Sequence, residues 1–475
     1  MVDRAITTMR DIYISPFASR YSSDEMLYNF SDHKKHTIWR QLWIALASAE
    51  QSLGLPITDS QIAEMQYNLH NIDYDAVRAY ETELKHDVMA HIMAYGDQCP
   101  TARPIIHLGA TSAYVVDNAD LVIIKEAISI IKKKLIHVLR SIIDVADEWV
   151  YEPTVAFTHF QPAQFTTVGK RMCLWANDLL MDLDELEFRE RNLAFLGAKG
   201  ATGTQASFLT LFDGDTSKVD ALEREIAKRM GFDKIYHISG QTYSRKVDAQ
   251  IHATLAGIAE SAHKFANDMR LLQHLGEIRE PFGSKQVGSS AMAYKRNPVK
   301  SERITSLARL VISLSSNSAF TAACQWFERT LDDSAGKRIA LPEAFLAVDG
   351  ILMLYHSIID GIDINVDRIR NNVQRELPFI ASEDILMEAV KSGGDRQELH
   401  ERIRTHATNA NGHEFMERIA KDEAFAKVKH IMKNIADPMN YTGCAAHQAR
   451  KFLNDVAERL KQYSDLPKPN YKIFA

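Results

Sequence analysis

Apolar residues recur in alternating steps of three and four at Leu121, Ile124, Ile128, Ile131, Leu135, Val138, Ile142, Val145 and Trp149. No Gly or Pro interrupts them, so the spacing predicts one long helix, with Asp117 or Asn118 as its expected N-cap. A second run, Ile251, Leu255, Ile258, Ala262, Phe265, Met269 and Leu272, predicts another, about 33 Å long. Long helices with one narrow apolar seam each argue for a bundle, not a layered α/β domain. Ala253, Ala256, Gly257 and Ala259 widen the contact surface of the second helix. Further helical stretches fall at 36–53, 166–193, 301–323 and 341–360, while strand-like alternation is scarce. The expected fold is therefore all-α. Pro153 and Pro162 mark a loop near 150–164, and Gly197, Gly200 and Gly203 break the helical pattern in 191–208. Three divisions follow: an N-terminal helical domain over 1–111, a long-helix bundle over 112–364 and a C-terminal helical domain over 365–475.

Composition narrows the functional classes. The 475 residues carry a net charge of −6, with no basic stripe, which disfavours nucleic acid and anionic membrane as partners. Cys99, Cys173, Cys324 and Cys444 show neither CxxC nor zinc spacing, so a reducing compartment without disulfide framework or metal is expected. The first residues lack an apolar secretory core, and no apolar run approaches the roughly 18–20 residues of a membrane span. These features point to a cytoplasmic protein.

Several short stretches carry candidate chemistry. THFQPAQ (158–164) places Thr158 and His159 before a predicted helix, where His159 serves either as an acid–base group or as a helix cap. KHDVMAH contains Lys85, His86 and Asp87; it reads equally as a binding surface or a solvated helix face. HLGATSAYVVDNADL brings Thr111 and Ser112 to a helix N-terminus, a natural carboxylate or phosphate seat but also ordinary capping chemistry. The glycines at 197–204 match neither a phosphate-binding loop nor a dinucleotide fingerprint. ERTLDDSAGKR supplies Arg329, Ser334, Lys337 and Arg338 with turn character; these suit an anion site, but a charge cluster with three acids beside it is more often a solvated surface. GSSAMAYKRNP (288–298) joins small and hydroxyl residues to Lys295, Arg296 and Asn297, the ingredients of a lid closing on an anion. A serine there acts as a base only where lysine and backbone donors stabilise its alkoxide.

GSSAMAYKRNPVKSE resembles the signature loop GSSxMPxKxNP of the fumarase/aspartase superfamily. TSAYVVDNAD and THFQPAQ fall where that superfamily has its other blocks, and order and length agree over essentially the whole chain. The wording of KHDVMAH, KGATGTQASF and SSAMAYKRNP is similar to the eukaryotic-type branch that cleaves succinylated purine nucleotides. The resemblance implies a three-domain superfamily fold and β-elimination of fumarate from adenylosuccinate, giving AMP, and from the succinyl-carboxamide imidazole ribotide, giving its amide. It implies Ser289 as general base and His159 as general acid. Lys295, Asn297, Thr111, Ser112 and Gln241 would hold the succinyl carboxylates, with Lys85, His86, Asp87 and Thr158 lining the site. Arg20, Tyr21, Arg329, Ser334 and Arg338 would hold the phosphate, with Arg303 nearby. It further implies a homotetramer whose active sites are each shared among three subunits, with no metal or cofactor. Argininosuccinate lyase, aspartase, fumarase and a non-catalytic homologue are the alternatives. Ala293 departs from the superfamily pattern, which has Pro there.

Overall fold

The computed structural model describes residues 12–432, 435 and 437–471. Five long helices form its centre: Ser112–Glu148, Val168–Asn192, Lys246–Leu275, Val299–Ala323 and Asp333–Asp360. Their register follows from the two runs. Leu121 through Ile142 of the first and all seven positions of the second are buried. The seam of the first helix is broader than its three-four run, because Ile123, Ala127, Ile136 and Leu139 are buried too. Neighbours therefore wrap that helix on several sides, and little of it faces water.

The first helix starts earlier than expected. Thr111 is its N-cap and its side chain accepts no capping hydrogen bond among the described residues, whereas Asp117 and Asn118 lie in the second turn, 1% and 0% exposed. Their short polar side chains look like caps in sequence but serve tertiary contacts. Asn118 Oδ1 accepts the Leu196 and Gly197 N–H groups at 3.0 and 3.2 Å, and its Nδ2 donates to the Gly197 carbonyl at 3.0 Å. This anchors the glycine-rich segment to the bundle.

Asp333–Asp360 is long and apolar enough to cross a membrane by length and composition, contrary to the sequence expectation. Its most apolar window is 78% buried within the protein, so it is a core helix. It begins inside ERTLDDSAGKR, so Ser334, Lys337 and Arg338 occupy its first turns and not a loop. At 1.5 Å per residue its 28 residues measure about 42 Å, a ruler along the bundle.

The proline-marked loop is a β-hairpin. Pro153–Thr158 pairs antiparallel with Gln161–Thr167, with a bulge between Ala156 and Phe157. His159 and Phe160 form its two-residue tip with φ of 52° and 58°, the left-handed values such a tight turn demands. Neither is glycine or asparagine, so the turn was illegible by composition. One apolar core joins the bundle to the N-terminal helices, and a second, around Ile385, Phe415, Ile419 and Phe425, lies in the C-terminal helices.

Candidate active site

The sequence-derived candidates gather into three clusters. The first lies where the long Ser112–Glu148 helix begins. Lys85 takes a left-handed conformation (φ 54°) that ends one helix, and His86 caps the next, Asp87–Gln98. His86 Nδ1 accepts the Met89 N–H at 3.3 Å. The neutral ring then carries its proton on Nε2, which lies 3.4 Å from Ser112 Oγ. Thr111 and Ser112 thus present hydroxyls at the start of a 37-residue helix, where the dipole favours an anion. Asp87 binds Arg338 Nη2 at 3.0 Å. Burial pushes its carboxyl upward, but the Val88 N–H and the Arg338 guanidinium outweigh this and hold it below the usual carboxylate range.

Arg329, Ser334 and Arg338 line a cavity of about 230 Å³ together with Lys35, Arg245, Lys337, Asp117, Asp120 and Asp333. Beneath it is a buried charge network. Arg245 binds both carboxylate oxygens of Asp117 at 3.0 Å and Asp333 at 2.5 Å, while Arg329 Nη1 contacts both Asp333 oxygens at 2.9 Å. Lys337 pairs with Asp120 at 2.8 Å and donates to Tyr243 at 2.7 Å. The acids of ERTLDDSAGKR are therefore not all solvated: Asp333 is 1% exposed. Burial opposes its ionisation, but Arg245 and Arg329 prevail and keep its carboxyl low. Arg245 and Asp333 escaped the sequence reading as site residues, and Asp117 entered it only as a helix cap; the i,i+4 spacing of Arg329 and Asp333 was the available signal. Gln241 belongs to the same end, its N–H bonded to the Glu328 carbonyl at 3.0 Å and its Nε2 to the Ala201 carbonyl at 3.1 Å.

The second cluster is the lid. Ser289 Oγ accepts the backbone N–H groups of Ala291 and Met292 at 3.3 and 3.1 Å. Both donors favour negative charge on that oxygen. Asn297 Nδ2 donates to the Gly288 carbonyl at 2.8 Å, folding the loop across itself. Gly288 is required here, since a Cβ would collide with the Lys295 carbonyl. Lys295 is exposed. Beside the lid, the Arg303 guanidinium sits over the Tyr21 ring at 5.7 Å, in a helix that starts at Val299. Tyr21 and Arg20 come from a short π-helical turn, Phe17–Tyr21, laid on the Asp333–Asp360 helix at Gly350, where a Cβ would come within 2.7 Å of the Tyr21 carbonyl.

The third cluster is the hairpin tip, Thr158 and His159, both exposed. Among the described residues no hydrogen bond or ion pair joins His159 to Ser289.

Helix geometry separates the first two clusters. Ser334 and Gly361 are 27 residues apart, about 40 Å along the helix. Gly361 packs against Pro281, within 2.8 Å of a Cβ placed there, and Phe282 reaches Gly288 at 3.2 Å. The lid therefore roots at the far end of the helix from the cavity. Seven residues from Phe282, Ser289 reaches at most about 24 Å. One chain cannot bring Ser289 to its own Ser334 and Arg338.

The sequence pattern of the lyase family matches residues 7–313, and that of the adenylosuccinate lyase C-terminus matches residues 378–452. The chain is 44% identical to adenylosuccinate lyase of Saccharomyces cerevisiae over 465 residues, covering 95% of this chain and 96% of that protein. It is 43% identical to adenylosuccinate lyase of Schistosoma mansoni, covering 95% and 97%. Among solved structures, a fumarate lyase from Mesorhizobium sp. BNC1 superposes with a TM-score of 0.81 at 22% identity, covering 93% of this chain and 99% of that one. The 3-carboxy-cis,cis-muconate lactonizing enzyme of Pseudomonas putida superposes equally well, with the same identity and coverage. Those two likenesses fix the all-α superfamily fold, and the full-length relatives place the chain more narrowly: it belongs to the lyase family, in its adenylosuccinate lyase branch.

Proposed function

We propose that the protein cleaves adenylosuccinate to AMP and fumarate, and the succinyl-carboxamide imidazole ribotide to its amide and fumarate, in purine nucleotide synthesis. Ser289 is the general base. It removes a proton from the carbon beside a succinyl carboxylate, so charge accumulates on that carboxylate. Lys295 and Asn297, with Thr111, Ser112 and Gln241, hold the carboxylates and oppose that charge. His159 protonates the departing nitrogen as the C–N bond breaks. Lys85, His86, Asp87 and Thr158 line the site; Arg20, Tyr21, Arg329, Ser334 and Arg338 take the phosphate, with Arg303 nearby. The enzyme works in the cytoplasm as a homotetramer with sites shared between subunits.

The observation that carries this reading is the Ser289 hydroxyl, which receives two backbone N–H donors six residues before a lysine. A free serine is a poor base; oriented donors and a nearby cation are what make its alkoxide accessible. The separation of about 40 Å between lid and cavity supports sharing between subunits. The test is fumarate release, followed by ultraviolet absorbance, from both nucleotides, with argininosuccinate, aspartate and malate as controls. We expect turnover of the nucleotides alone. A folded tetramer that eliminates fumarate from neither would leave the non-catalytic reading standing.

A further inference from the structure

The turn that carries Arg20 and Tyr21 is anchored on one side by apolar packing, with Phe17 in the core and Tyr21 half-buried against it. Phe17 is its buried residue, while Arg20 is exposed. What fixes its far side is a pair of charges inside the bundle. Lys134, from the Ser112–Glu148 helix, is 1% exposed; Asp349, from Asp333–Asp360, is fully buried; the two form an ion pair. Neither takes part in the proposed chemistry. Both turn toward the residues directly after Tyr21. Asp349 Oδ2 accepts the Ser23 N–H at 2.7 Å, and its Oδ1 accepts the Ser23 hydroxyl at 3.2 Å. Lys134 Nζ donates to Ser23 Oγ at 2.7 Å and also meets Glu25 at 3.1 Å. The Ser22 hydroxyl adds a bond to the Leu346 carbonyl at 3.0 Å. Next to Asp349, Gly350 lets the Tyr21 backbone lie directly on the helix. The Tyr471 ring, from the other end of the chain, lies 5.5 Å from Lys134 Nζ and closes the pair from water.

A buried ion pair stabilises a fold weakly, because desolvation offsets its attraction, and fixing the register of the groups it contacts is its best-attested use. We propose that Lys134 and Asp349 are positioning residues for phosphate binding. They hold Ser22 and Ser23 in one register, and this sets where Arg20 and Tyr21 present themselves. Arg303 follows, since its guanidinium sits over the Tyr21 ring. The inference rests on the reading of Arg20 and Tyr21 as phosphate ligands.

The experiment compares adenylosuccinate with its dephosphorylated form, succinyladenosine, in the intact tetramer. Arg20→Ala tests the underlying reading: the preference in kcat/KM for the phosphorylated substrate should collapse. Asp349→Asn should lower that preference about tenfold through KM, with kcat changed far less, as expected when a charge-assisted contact is misplaced but not removed. Removing one charge of a buried pair risks folding, so Ser23→Ala provides a milder variant, and Ser23→Thr should restore the preference. A preference intact in both Asp349→Asn and Ser23→Ala, while Arg20→Ala abolishes it, overturns the positioning role alone. A preference intact in Arg20→Ala overturns the phosphate reading, and the inference with it.

Discussion

At the residue scale, the proposed chemistry rests on two groups whose neighbours differ sharply. Ser289 is held by two backbone donors, whereas His159 stands exposed at a hairpin tip. Ser289→Ala and His159→Ala should each lower kcat by orders of magnitude while substrate still binds; near-normal turnover in either would remove that residue from the mechanism. Ala293 is a subtler case. The Lys295 N–H bonds to the Met292 carbonyl at 3.0 Å, which places Ala293 second in a four-residue turn, where proline is favoured. Ala293→Pro should therefore stabilise the lid by roughly 0.4–1 kcal/mol by restricting its free ensemble, and alter kinetics only modestly. A variant with no turnover would show that the loop needs the freedom alanine gives it. Glu50 supplies a pH dependence outside the site. It is fully buried, neither carboxylate oxygen has a hydrogen-bond partner among the described residues, and burial raises its pKa to about 8. Between the unfolded value and pH 8 the folded protein holds a proton that the unfolded chain releases. Stability therefore falls with rising pH, by roughly 1.4 kcal/mol per unit from this group. Glu50→Gln should flatten that decline in thermal midpoints between pH 5 and 8, and an unchanged slope would assign it elsewhere.

At the scale of elements, the long helices were legible because their three-four spacing extends over many turns, and packing obeyed it. The hairpin was not, because a turn of His159 and Phe160 has none of the residues that announce left-handed backbone. The lid motif offered Ser289, Lys295 and Asn297 as candidates, yet the network under Arg329 was hidden: its partners Asp117 and Arg245 lie more than 80 residues away in sequence. Periodicity also reveals what a single chain leaves uncovered. Leu174, Met181 and Phe188, seven apart on the Val168–Asn192 helix, are 53%, 65% and 46% exposed. Large apolar side chains repeating on one bundle face fit the proposed subunit contact. Met181→Glu should dissociate the tetramer in sedimentation and reduce activity with it, while helicity is kept. A charged residue tolerated in an intact tetramer would place the contact on another face.

At the scale of the whole molecule, the length of the Asp333–Asp360 helix bears on the proposed sharing of sites between chains. Ser334 and Arg338 sit at its start, and the lid carrying Ser289 roots beyond its end. Along the helix, about 34 Å separates Arg338 from that root and about 40 Å separates Ser334 from it, against a loop reach of about 24 Å. If one site takes Ser289 from one chain and Arg338 from another, damage to the two residues need not fall in the same site. Ser289→Ala and Arg338→Ala should each form tetramers of very low activity. Dissociated, mixed in equal amounts and reassembled, they should generate sites in which both residues are intact. With random assembly each such site needs an unaltered Ser289 from one chain and an unaltered Arg338 from another, so about a quarter of the sites should recover. A double variant carrying both changes on one chain, reassembled with the unaltered enzyme, should give the same quarter. Recovery near zero for the first mixture and near half for the second would instead mean that each chain builds its site alone, against the distance the helix imposes.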